Sequence, residues 1–82
     1  MPSFPTPTVG RDVHYWSRGS ADGQFPSVAR AAKITEVHHV DHDAQEYVVS
    51  LAVFNPTGLF FDQHVTMSPS GEPGHWSWPP RV

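Results

Sequence analysis

The apolar positions of this chain recur every second residue, and the clearest run lies at residues 47–61, Y-V-V-S-L-A-V-F-N-P-T-G-L-F-F. Tyr47, Val49, Leu51 and Val53 alternate with Val48, Ser50, Ala52 and Phe54. The run carries no charge and is dominated by β-branched and aromatic side chains, which predicts a central strand with both faces at least partly covered. Asn55-Pro56-Thr57-Gly58 then predicts a tight turn, with proline presetting φ at its second position. Leu59, Phe60 and Phe61 return along the neighbouring strand, completing a core hairpin. Pro56 and Gly58 punctuate the run too early for a helix.

The same period appears earlier in the chain. Residues 9–17, V-G-R-D-V-H-Y-W-S, place Val9, Arg11, Val13 and Tyr15 on one face and Asp12, His14 and Trp16 on the other, which predicts a first strand. Residues 28–38 predict a second, with Val28, Arg30, Ala32, Ile34 and Glu36 on one face and Ala29, Ala31, Lys33, Thr35 and Val37 on the other. A-R-A-A-K is also good helix material, but I-T-E-V follows it without a break. Residues 18–26, rich in Gly, Ser and Asp, predict a surface loop long enough to line a site. Residues 40–46 form a polar hairpin connection. D-Q-H-V-T-M extends the fourth strand, residues 68–74 are a turn-rich loop, and residues 75–78 are a short last strand closed off by Pro79-Pro80.

Residues 1–8 carry Pro2, Pro5 and Pro7 and predict an irregular lead-in arm that packs through Phe4. Residues 9–82 then make one small domain. Five short strands separated by turns predict an all-β fold, a five-stranded SH3-like barrel with an OB-like barrel as the alternative. Nine prolines and six glycines in 82 residues agree with strands joined by turns.

A chain this short buries a limited share of its surface, and with no cysteine it has neither disulfides nor thiolate metal sites to staple it. Homo-oligomerisation is the remaining route to added stability. The formal net charge of −3 argues against affinity built on a long phosphate backbone. No segment approaches the roughly 18 apolar residues of a membrane span, and the N-terminus lacks a basic start followed by an apolar run. A soluble, unexported protein is the expectation.

Candidate chemistry changes this picture only in part. His38, His39, Asp41, His42 and Asp43 are the densest set of metal-ligand types. A polar hairpin tip collects such residues without a metal, and no metal or cofactor is expected. A serine, histidine and acid set drawn from Ser17 or Ser50, any histidine and Asp62 has no nucleophile in a recognised elbow, so no enzyme is expected. What remains is an aromatic and basic set: Tyr15, Trp16, Trp76 and Trp78 with Arg11, Arg18, Arg30, Lys33 and Arg81. If the terminal strands are neighbours, Tyr15 or Trp16 and one of the tryptophans share a pocket. Aromatic walls stack planar rings at roughly 1–3 kcal/mol per base, and arginine forks suit phosphate oxygens. The competing explanation is that Trp76 and Trp78, sharing a face at strand spacing, are core or oligomer interface.

Four segments, P-T-V-G-R-D-V-H-Y (7–15), R-A-A-K-I-T-E-V (30–37), V-S-L-A-V-F-N-P-T-G-L-F-F (49–61) and H-W-S-W-P-P-R (75–81), resemble a family of very small proteins encoded by tailed bacteriophages and prophages. That resemblance spans nearly the whole chain and implies a phage accessory protein acting in the cytoplasm of the bacterial host. In size and in its aromatic-rich ends the chain is also similar to phage anti-CBASS sponge proteins, which bind cyclic oligonucleotide immune signals without cleaving them. The function expected on these grounds is sequestration of a small nucleotide ligand. Tyr15, Trp16, Trp76 and Trp78 would stack the bases, and Arg11, Arg18, Lys33 and Arg81 would meet the phosphates. The alternative is a protein-interaction module: an inhibitor that occludes a host protein, or a small virion component.

Overall fold

A computed structural model describes residues 4–19 and 26–80 of the chain. Its five strands are β1 (Asp12–Trp16), β2 (Ala29–Asp41), β3 (Glu46–Asn55), β4 (Gly58–Thr66) and β5 (Trp76–Ser77). They form one antiparallel sheet in the order β4-β3-β2-β1-β5. The sheet curls into a half-barrel. Its two ends approach where Met67 bridges Trp76, and there the Met67 amide donates to Tyr47 and the Ser68 amide to Trp76. Consecutive strands β1 to β4 form a simple meander, and β5 returns beside β1. That is the order of an SH3-like barrel and differs from the Greek key of the OB fold. Among the described residues no helix is long and apolar enough to cross a membrane.

The central position expected for residues 47–54 holds, because β3 lies between β2 and β4. Its inward row, Tyr47, Val49, Leu51 and Val53, is almost wholly buried. Val13 and Tyr15 from β1, Ala32 and Ile34 from β2, Val65 near the end of β4, Met67 just beyond it, and Trp76 from β5 complete the core. The N-terminal arm packs as expected through Phe4, whose ring meets that of Tyr47 edge-on at 6.4 Å. Pro56 and Thr57 make the two-residue turn that joins β3 to β4, with Asn55 and Gly58 paired across it.

Three details differ from the sequence pattern. β1 starts at Asp12 because Val9 and Gly10 form a turn, with Gly10 at φ 91° and its amide donating to Ile34. β2 runs to Asp41, so His38, His39 and Asp41 lie on a strand, and only residues 42–45 form the hairpin turn. The alternation along β2 also resets. Register shifts between Ile34 and Glu36 and between Val37 and His39 insert one extra residue each, so Ile34 faces Leu51 and Val37 faces Val49. Unbroken alternation would have driven Glu36 into the core and left Val37 outside; the bulge at Thr35 reverses that.

Candidate functional site

The expected neighbourhood of the terminal strands is present, with His14 paired to Ser77 and Tyr15 to Trp76. Its aromatic residues are spent on packing, however. Tyr15 is 3% exposed and Trp76 is 0% exposed, so neither offers a ring face to a ligand. Trp78 is half-buried, meets Trp76 edge-on at 5.3 Å and carries the Arg11 guanidinium 5.2 Å above its ring. Trp16 points to the opposite face of β1 from Tyr15, where its indole N–H donates to Ser77 Oγ at 2.8 Å. The 68–75 loop lies against that ring: a Cβ on Gly71 would stand 2.6 Å from Trp16 Cε2. Lys33 is engaged by Asp12 at 2.6 Å. Arg81 lies outside the described residues, as does most of the 18–26 loop.

Arg18 is placed differently. It leaves the end of β1 beneath Gly74, where an added Cβ would stand 3.3 Å from the guanidinium carbon. There it lies near the Tyr15 hydroxyl, as does the Asp62 carboxylate of β4. Burial first, and the Asp62 carboxylate second, push the Tyr15 phenol above its ordinary value of 10.0, with Arg18 pulling the other way. Arg30, the ladder partner of Tyr15, projects from the same face of the sheet. Its Nε is buried and has no hydrogen-bond partner among the described residues, and the Ser27 hydroxyl three positions earlier is in the same condition. Phe60 meets the Tyr15 ring edge-on at 5.6 Å and is 37% exposed.

Residues 15, 18, 30, 60 and 62 therefore gather at one end of the barrel, the end where the β1–β2 loop leaves. Two guanidinium groups stand there against one carboxylate. Buried N–H groups are almost always paired, and one that is not, on a cationic side chain, is suited to a charge-assisted bond from an anion. Phe60 was not in the binding set expected from sequence, and Arg30, although among its basic candidates, was not one of those assigned to the phosphates. The available signal was position: Arg30 shares the alternating row of Ala32 and Ile34, and a charged residue in a core-facing row needs a reason.

His38, His39 and His42 each take a different partner. His42 sits between Thr6 Oγ1 at 3.1 Å and the Tyr47 hydroxyl at 2.8 Å, while His39 pairs with Glu46 at 3.1 Å. His38 shares a hydrogen bond with Ser50 Oγ at 2.7 Å and stacks on His64, their ring centres 4.0 Å apart. Among the described residues no three His, Asp or Glu side chains converge as a metal site. Shallow grooves are present among the described residues. One of about 420 Å³ is lined by Asp12, His14, Ala31, Lys33, Phe54 and Pro79, and one of about 400 Å³ by Glu36, Ser50, Phe61, Asp62 and Gln63.

In comparisons with known proteins, no protein-family model, no curated protein and no solved structure matches this chain.

Proposed function

We propose that this protein is a non-catalytic binding module that sequesters a small phosphate-bearing nucleotide, a cyclic oligonucleotide signal of bacterial immunity, at the barrel end formed by Tyr15, Arg18, Arg30 and Phe60. The resemblance to small phage proteins supports a setting in the cytoplasm of a bacterial host, and the arrangement of these side chains supports this barrel end as the binding place. One observation carries the reading: Arg18 and Arg30 flank the same buried tyrosine, and the Arg30 Nε–H has no partner among the described residues. A phosphate oxygen would satisfy that donor, and a base would lie on the half-exposed Phe60 ring. Stacking thereby moves from Tyr15 and Trp76, which are core, to Phe60. A net charge of −3 favours a small ligand over a long nucleic acid.

The test is depletion of cyclic di- and trinucleotides from solution by purified protein, followed by heat denaturation and analysis of what is released. Recovery of an intact nucleotide is the expected result, and Arg30→Gln or Arg18→Ala should weaken its retention by about tenfold or more, as for loss of one charge-assisted bond. A cleaved product would mean catalysis. Depletion of no nucleotide in the panel would end the ligand reading.

A second reading has its own observation. Phe54, Leu59 and Phe61 are 42%, 58% and 73% exposed on the outer face of the β3–β4 hairpin. Such a row suits a protein-interaction module, in which aromatic anchors dominate binding. Recovery of one stoichiometric host protein on the wild-type chain, lost with Phe61→Ser, would favour that reading.

A further inference from the structure

We propose that the free edge of β4 pairs with the same edge of a second copy of this chain, antiparallel, about a two-fold axis passing beside Phe60. The inference rests on the β3–β4 hairpin alone and holds whether or not a nucleotide binds at the barrel end.

β4 is the last strand of its sheet and, among the described residues, pairs only with β3. The two-residue turn makes Asn55 and Gly58 a hydrogen-bonded pair, and in an antiparallel ladder such pairs alternate with non-bonded ones. Phe60, opposite Val53, therefore turns its N–H and C=O towards β3, whereas Leu59 and Phe61 turn theirs away. Among the described residues no backbone group outside β3 bonds to Leu59 or Phe61. Exposed edges are normally protected by lysine, proline, an inward charge or a bulge. Here the inward-facing Asp62 and the bulge at Gln63 and His64, where His64 takes φ 56°, protect only the second half of the strand. Residues 58–61 have none of these guards.

What occupies the edge follows from side-chain complementarity. Residues facing each other across an antiparallel ladder share a face, so a two-fold axis must pass beside a residue. An axis at Phe60 sets Leu59 against Phe61 of the second copy, twice, on the outer face, and these are the two residues whose backbone groups point to the free side. It sets Phe60 against its own copy on the inner face and Asp62 against Gly58, so no like charges meet. An axis one residue later would set Phe60 against Asp62. The chain is thus complementary to itself in this register, which is the requirement of an isologous contact. In that register the Phe60 rings, each in contact with a Tyr15, meet across the axis, and the two barrel ends come side by side.

Sedimentation over a range of concentrations, on the full chain, tests this. The wild type should dimerise reversibly. Leu59→Lys and Phe61→Glu should each weaken the dimer by about tenfold or more, as a charge placed on a pairing edge does. The double variant Leu59→Lys with Phe61→Glu should regain dimerisation, because the axis sets the two new opposite charges against each other twice. Phe61→Pro, which removes an N–H that β3 does not use, should give a monomer whose unfolding midpoint stays near that of wild-type monomer. A wild type that remains monomeric at its solubility limit would overturn the proposal, and so would a double variant no better than either single one.

Discussion

Trp76 is wholly buried, and its indole N–H donates to the Tyr47 carbonyl at 3.3 Å, so one side chain ties β5 to the middle of the core. Trp76→Ala should cost about 3–5 kcal/mol in chemical denaturation. That is a large part of the roughly 4–12 kcal/mol available to a chain of 82 residues. Trp78, half-buried, should cost distinctly less when truncated; equal losses at the two positions would contradict this division of labour. Tyr15 makes the second residue-level prediction. Its phenol is raised in the folded protein, so the neutral form is favoured there and the associated stability is complete below the unfolded value of about 10.0. It is lost as pH climbs through 10 towards the raised folded value, because the unfolded chain ionises first. Urea midpoints measured between pH 8 and pH 11 should fall for the wild type above pH 10 and fall less for Tyr15→Phe.

Among the elements, β1 and β3 were readable because a period of two needs only a buried face and a more solvated one, and both have them, whereas β4 was readable from the turn before it. The bulges of β2 were not readable. Nothing in V-A-R-A-A-K-I-T-E-V-H-H announces that Thr35 and His38 will be extra residues; they are so because β3 holds Leu51 and Val49 where Ile34 and Val37 must meet them. The 68–75 loop also acquires its role only in three dimensions. Gly71, at φ 75°, lies against the Trp16 ring, whereas Gly10, at φ 91°, has nothing near its missing Cβ. Gly10→Ala should therefore cost only the backbone penalty of about 1–2 kcal/mol, and Gly71→Ala should cost more, with a change in tryptophan fluorescence that the Gly10 variant lacks. Equal costs would mean that the loop moves freely off the ring.

For the molecule as a whole, small size without cross-links, an unguarded edge on β4 and an exposed apolar row on the same hairpin form one pattern. A domain that cannot enlarge its core gains by covering surface with a partner. If the two-fold pairing of β4 is correct, stability should rise with protein concentration, since association favours the folded state. An unfolding midpoint independent of concentration, in a sample shown to be dimeric, would mean that the contact contributes nothing to the fold.

Alternation, turn chemistry and the absence of charge between residues 47 and 61 are local properties of the chain, and they were enough to determine an all-β fold, its central strand and the turn that follows that strand. Which of its aromatic residues would be exposed was not local. Tyr15, Trp76 and Phe60 look alike in a sequence, and only closure of the barrel decided that the first two would be core and the third would border the surface. Strand periodicity assigns a face. The curvature of the sheet decides whether that face is covered along its whole length or opens at one end, as it does where Arg18 and Arg30 stand beside Tyr15.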